Sequence, residues 1–561
     1  MNWRNVVGLT LLFVILLSPQ LQVNSQTETT TPTWEPVGPG IEYRQYELDD
    51  PNNVFVARMD RTNPDVILES SIAAGGLMSG KETVSDMASR YDEALNLWGQ
   101  TYITRTWGTR SQVVVAINGS FYDIPTGYPF GGMVHSGWYA KRFDDLGGGS
   151  GFAWKQDRSA FIGECISHPA DKQIAKYVRT GVTQLISGVN VERGEDDLIL
   201  YTPQYDRDTR TDDQGVEVLV EMTRPTMILP EPAYASGFVR EIYTATGSTP
   251  IPFDHIVLSA SGVTTTTILL DNLVISDEIR ISQELFHYES DCVTPIPSLW
   301  TKTYASLGGS FYFLKDGEIQ TFTDPGALER HPRTAIAYND DYIHFIVVDG
   351  RDSVNSIGMT IDELAIFARD VLSATWGVAQ DGGGSSTMVV NGEVVNNTFC
   401  NIVYCITIEK SYLPMVIKGE IEESPPAPVA PTVLQRMVAN GMMMVVVEAP
   451  EYSQVYQTGD AIVTSRVVPL QLGPGSQYAS LATVSEGTRG VVEDHLNGLS
   501  GVLAKGEHWW KVTFLGLTGW VPESAILPAG LYASCHSLGE PLSDNLCGIF
   551  YQLYPITRWF R

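Results

Sequence analysis

A chain of 561 residues is too long for one hydrophobic core, and roughly three to four domains are the starting expectation. Its 43% hydrophobic and 10% aromatic content is that of a globular protein. A net charge of −29 argues against a nucleic-acid or anionic-membrane partner, since bulk repulsion would have to be overcome by a local cluster of arginines.

In chain order, residues 1–25 have the pattern of a secretory signal peptide. Arg4 supplies the positive start, Val6 to Leu17 the apolar run, and Val23-Asn24-Ser25 small residues at the cleavage position. The run is shorter than the roughly 20 residues a membrane helix needs, so a secreted or cell-envelope-associated protein without a membrane span is expected. Residues 26–40, rich in Thr and Pro, read as an extended leader. Strand patterns then run from about Tyr43 to Val416, and residues 41–418 are assigned to one large domain of mixed α+β and α/β character. Residues 419–433 form an acidic linker carrying Pro425, Pro426, Pro428 and Pro431. Short strands and glycine turns over 434–528 predict a small all-β domain, and 529–561 is a Cys-containing tail.

The cysteines are Cys165, Cys292, Cys400, Cys405, Cys535 and Cys547. An even number in an exported chain implies disulfides, although spacing does not fix their connectivity. Nearest-neighbour pairing gives Cys400–Cys405 and Cys535–Cys547 and leaves Cys165–Cys292.

Chemistry concentrates between residues 330 and 397. The continuous apolar run Tyr342 to Val348 predicts a buried strand ending at Asp349-Gly350-Arg351. Thr360-Ile361-Asp362-Glu363 is a capping box, followed by apolar residues at helical spacing to Leu372. The next strand, Trp376 to Gln380, ends at Asp381. A strand-helix-strand unit favours a parallel pair, which would put Asp349 and Asp381 on one sheet edge. Arg333 opens a strand that returns through Asn339-Asp340-Asp341 as the 342–348 arm, so it should lie beside Asp349. If Val113 to Ile117 runs parallel to these strands, Asn118 and Gly119 reach the same edge.

After Asp381 come Gly382, Gly383, Gly384, Ser385, Ser386 and Thr387. Three glycines allow several backbone N–H groups to face one small volume, and the hydroxyls add donors, a combination suited to an oxyanion or a sugar. No Gly-Lys-Ser/Thr follows, so the loop is not a P-loop. A structural ion pair and a plain glycine turn would explain Arg333–Asp349 and the loop separately. Convergence of several such groups from distant segments is what marks a site.

Taken together, Asn118 to Asp123, Arg330 to Ile336, Val347 to Arg351 with Gly358-Met359-Thr360, and Asp381 to Thr387 with Val389 to Gly392 resemble the phosphodiester glycosidase family, over roughly residues 40–415. That resemblance implies a hydrolase that cleaves the glycosidic bond of a sugar-1-phosphodiester, of the N-acetylglucosamine type, releasing free sugar and a phosphomonoester. For that reaction the shared edge offers Asp349, Asp381 and Arg333 as catalytic residues, with Asp349 or Asp381 as nucleophile or as base toward water and Arg333 on the phosphate oxygens, and Asn118, Gly119, Arg351 and residues 382–387 as substrate-binding residues. The chain departs from the family at Ser120 and Ala337, where glycine is usual. Residues 464–528 resemble a bacterial SH3-type module, carried by Leu470 to Gly475, Glu486-Gly487-Thr488, Trp509 to Val512 and Gly516 to Val521; a cell-wall peptide is the partner this implies. A phosphoglycan or glycosyl phosphate is the expected substrate. The alternative is a non-catalytic cell-wall- or glycan-binding protein on the same fold. No cofactor is expected and no metal site is read from the sequence, while acidic loops leave a structural calcium ion open.

Overall fold

The computed structural model describes residues 33–99, 108–143, 151–289, 292–296, 299–399 and 434–530. The signal and most of the leader, the 419–433 linker, most of the tail, and Cys400, Cys405, Cys535 and Cys547 lie outside the described residues. Cys165 and Cys292 are joined in a disulfide.

Strand dominates and helices are short, so the chain is more β-rich than the mixed α/β architecture expected from sequence. Two sheets position the candidate site. The first has eight strands, among them Ile41–Leu48, Asn52–Asp60, Tyr342–Val348, Arg333–Tyr338 and Trp376–Ala379, adjacent in that order. The 333–338 strand pairs antiparallel with both 342–348 and 376–379. Those two strands are therefore parallel, as expected, but separated by the hairpin arm rather than neighbours. Its outermost strand, Glu35–Gly38, falls in the segment assigned to an extended leader, because Pro36 tolerates an edge position where its missing N–H costs no ladder bond.

The second sheet contains Met388–Val390, Thr109–Asn118, Asn440–Glu448 and Val66–Ile72 in that order. Two expectations change. The 109–118 strand is not parallel to the Asp349 and Asp381 strands; it sits in this second sheet, antiparallel to 388–390 and 440–448. The domain boundary at residue 434 is also displaced. Asn440–Glu448 has nearly all its residues buried, and it lies between two strands of the large domain rather than in the C-terminal module. Its run of Met and Val suits a strand covered on both faces.

The two sheets pack face to face through Phe55, Ile336, Phe345, Val347 and Val378 on one side and Val114, Ala116, Val389 and Met443, on the face of Asn118, on the other. The opposite face of the first sheet is covered by the Ile361–Ile366 helix, whose Ile361 and Leu364 pack on Ala335, Ala337, Ile346 and Val348. Thr360 and Glu363 form the capping box read from sequence. The helix then continues as a π-turn over Phe367–Val371 instead of regular α-helix.

A third, largely antiparallel sheet spans residues 174–282 with its own core. The C-terminal strands, from Ala461 to Pro528, form a further antiparallel sheet around Ile462, Leu470, Trp510, Val512 and Phe514. Trp509 and Trp520 do not fill that core. They pack outward into the core of the 174–282 sheet.

Candidate functional site

The Gln380–Thr387 loop carries the chain from the first sheet to the second, and the candidate site forms at this crossing. Asn118, fully buried at the end of its strand, ties the pieces together. Its Nδ2 donates to the Asp381 carbonyl at 2.6 Å, and its Oδ1 accepts from Thr334 Oγ1 at 2.7 Å and from the Thr387 N–H at 3.1 Å. Gly119 accepts from the Asp381 N–H at 2.9 Å and donates to the Asn440 carbonyl at 2.8 Å. A Cβ at Gly119 would fall 2.1 Å from Asn440 Oδ1, so no other residue fits that crossing without displacing a neighbour.

Asn118 and Asp381 thus meet as expected, but by contact between two sheets rather than along one parallel edge. The loop also differs from the open nest predicted. The N–H groups of Asp381, Gly383, Ser385, Ser386 and Thr387 are all taken up within the protein. Ser385 is buried and spends its hydroxyl on Asp381 Oδ2 at 2.6 Å. Ser386 Oγ and Thr387 Oγ1 are buried without a hydrogen-bond partner, as are both amide atoms of Gln380 and Nδ2 of Asn440. Gly382, Gly383 and Gly384 form the partly exposed lip. Gly383 has φ +64°, a conformation that favours glycine.

Asp381 stands half-buried at this lip, and burial raises its pKa against the opposing effects of the Ser385 bond and the Arg436 charge. Asp349 is 4% exposed. Its Oδ1 accepts from Asn396 Nδ2 at 3.0 Å and its Oδ2 from the Asn397 N–H at 3.1 Å. Burial nevertheless lifts its pKa to about 6, because no cation offsets the loss of solvent. Asn396 also donates to the Ser386 carbonyl at 3.1 Å, so a single amide connects Asp349 to the loop that holds Asp381.

Arg333 does not join these carboxylates. Its backbone pairs with Val348, as the hairpin required. Side chains alternate along a strand, however, and Arg333 falls on the helix-covered face with Ala335 and Ala337. Asp349 continues the face of Phe345 and Val347, toward the second sheet. The Arg333 guanidinium donates to the carbonyls of Met359, Gly326 and Glu329, at 2.7, 2.8 and 2.6 Å. It is a clamp on the helix-side loops, and burial lowers its pKa to about 10.

The cations at the loop are Arg351 and Arg436. Arg351 lies over the Phe399 ring at 4.9 Å, and its Nη2 is 3.3 Å from where a Cβ of Gly383 would stand. A Cβ at Gly384 would stand 3.5 Å from Arg436 Cδ, and Arg436 Nη1 donates to Ser385 Oγ at 3.4 Å. Two guanidinium side chains therefore lie against consecutive glycines. Arg436, Asn396 and Asn440 escaped the sequence reading. The buried-strand pattern of Met442 to Val447, read as part of the main sheet, would have brought Arg436 and Asn440 into view.

Among the described residues one group is close enough to hold a cation, Glu221, Asp254 and His495, and it is far along the chain from this loop. Its carboxylates are already partnered. Asp254 bonds His255 and His495 at 2.6 and 2.7 Å, and Glu221 pairs with Lys511 at 2.9 Å and with Arg240. The group reads as an ionic seam between the 174–282 sheet and the C-terminal module.

Residues 267–404 match the phosphodiester glycosidase family, so the segment carrying Asp349, Asp381 and the glycine loop has that family's pattern. No curated protein matches the chain. Among solved structures, a hypothetical protein from Synechocystis is 15% identical with a TM-score of 0.44 and covers 72% of this chain; the chain spans 62% of that protein's length. A protein from Burkholderia pseudomallei described as exported is 17% identical with a TM-score of 0.40, covering 72% of this chain and 74% of its own. The catalytic domain of zebrafish N-acetylglucosamine-1-phosphodiester alpha-N-acetylglucosaminidase, auto-inhibited by its pro-peptide, is 12% identical with a TM-score of 0.30 and covers 73% and 85%.

Proposed function

We propose that the protein is a secreted glycosidase that hydrolyses the glycosidic bond of a sugar-1-phosphodiester, releasing free sugar and a phosphomonoester. The observation that carries this reading is the pairing of two carboxyls of raised pKa, Asp349 and Asp381, with two guanidinium groups, Arg351 and Arg436, lying against Gly383 and Gly384. The family match over 267–404 supports the reaction class.

Departure of a phosphate from an anomeric carbon leaves an oxocarbenium-like centre and an anion that is already stable. Charge stabilisation therefore matters more than protonation of the leaving group. In this reading Arg351 and Arg436 hold the phosphate oxygens, with guanidinium geometry matching them two at a time. Asp381 faces the reacting carbon as nucleophile or as base toward water. Asp349, held by Asn396 and Asn397, is its proton-accepting companion. Asn118, Gly119 and residues 382–387 form the rigid support of Asp381 and the lip on which the substrate rests, a narrower role than direct binding by each. Arg333 is not assigned to the chemistry.

The test is incubation of the purified protein with a panel of glycosyl-1-phosphodiesters in heavy-oxygen water. Free sugar carrying the label supports the proposal. Label in the phosphate would assign P–O cleavage instead, and absence of any released sugar would leave a glycan-binding protein.

A further inference from the structure

A cavity of about 200 Å³ lies where the large domain, the 174–282 sheet and the C-terminal module meet, and no residue of the candidate site lines it. Its apolar walls are Trp138, on the Trp138–Lys141 strand, and Ile251, Phe253 and Leu472, from the segments beside the His255–Ala260 and Val468–Gln471 strands. Two polar side chains, each more than nine-tenths buried, line it with hydrogen-bonding atoms to spare: His135 at 6% exposure, through Nε2, and Gln204 at 8%, through its amide.

The His135 tautomer follows from its contacts. Nδ1 lies 2.6 Å from the Ser70 carbonyl, which can only accept, and 3.3 Å from Glu69 Oε1. Nδ1 therefore carries the hydrogen in the neutral ring, and Nε2, which makes no hydrogen bond among the described residues, is an acceptor. Gln204 uses its backbone for Thr202 Oγ1 and Leu77, leaving its side-chain amide to offer both a donor and an acceptor. Every charged residue at the cavity already has a counter-ion: Arg90 pairs with Glu82, Arg207 with Asp208 and Asp206 with Arg210.

An acceptor, an amide and aromatic walls without spare charge suit a neutral polyhydroxylated ring, whose C–H faces cover aromatic surface while its hydroxyls reach His135 and Gln204. The volume admits one such ring and excludes an oligosaccharide enclosed along its length. We propose that this cavity is a second binding site, separate from the candidate active site, for a single neutral monosaccharide unit. Its position between sheets would make occupancy brace the C-terminal module against the large domain.

The test is equilibrium titration of the full-length protein with glucose, N-acetylglucosamine and inorganic phosphate, read by tryptophan fluorescence, to which Trp138 reports, and by calorimetry. Saturable binding of a neutral sugar is expected, weakened at least about tenfold (~1.4 kcal/mol) in Gln204→Leu. His135→Gln is a second variant that keeps an N–H for Ser70. Asp381→Asn should leave this binding unchanged, which separates the outcome from any failure of the proposed glycosidase activity. Lack of saturation by either sugar, displacement by phosphate, or equal affinity in folded Gln204→Leu and His135→Gln proteins would overturn the proposal.

Discussion

Asn118 Nδ2 donates to the backbone carbonyl of Asp381 at 2.6 Å, joining residues 263 positions apart and locking the end of one sheet to the loop that leaves the other. Its Oδ1 serves Thr334 and Thr387 at the same time, so neither half of the amide can be replaced by the other. Asn118→Asp keeps the acceptors and loses the donor, placing a carboxylate against a carbonyl. A destabilisation of about 1–3 kcal/mol is expected from the unsatisfied buried groups, with loss of nearly all turnover as Asp381 shifts. Urea denaturation and kcat measured on the same preparation check both.

Asp381→Asn should abolish turnover while leaving the fold intact, since the amide oxygen can still accept from Ser385 Oγ. A reduction of at least about a thousandfold in kcat, roughly 4 kcal/mol, is the expected scale for a group that acts on the reacting carbon. Full turnover in this variant would remove Asp381 from the mechanism.

Asp349 has its pKa raised to about 6 by burial. Acting in its ionised form, it should give a rate that falls as pH drops below about 6 and levels off above. The limb belongs to kcat/KM, which reports the free enzyme, and should disappear in Asp349→Asn. A limb of opposite sense, with rate falling as pH rises through 6, would mean that the protonated carboxyl is the working form.

Arg333 and Arg436 should separate by readout. Arg333→Met leaves the carbonyls of Met359, Gly326 and Glu329 without their donor, so lost stability of about 3 kcal/mol or more is expected. Arg436→Met removes a cation from the loop and should lower kcat/KM by about 10- to 100-fold with little change in melting temperature. The reverse pattern would return Arg333 to the site and make Arg436 structural.

Gly383→Ala places a Cβ at φ +64° and 3.3 Å from Arg351 Nη2. A strain of about 1 kcal/mol is expected from the backbone, with KM raised more than kcat is lowered, because the displaced group is a substrate-holding arginine. Steady-state kinetics on a glycosyl-1-phosphodiester distinguish the two parameters.

Period and punctuation made part of this legible from sequence. The 333–348 hairpin and the capping box at Thr360 follow from local pattern, because strand alternation, turn residues and helix caps act over a few positions; Asn118 meets Asp381 through contact between two sheets and not along the parallel edge that local pattern suggested. The glycine loop was visible for the same reason, although its N–H groups proved to be committed internally. The reach of Arg333 was misjudged because backbone adjacency says nothing of which face a side chain takes. The capping of Asp349 by Asn396, and the arrival of Arg436 and Asn440 from beyond the proline-rich segment, depend on strand order across two sheets. Local sequence determined the elements and the chemistry they carry. Only tertiary packing decided which sheet received the 109–118 and 440–448 strands, since non-local pairing is selected by burial of whole faces and not by any residue's own preference.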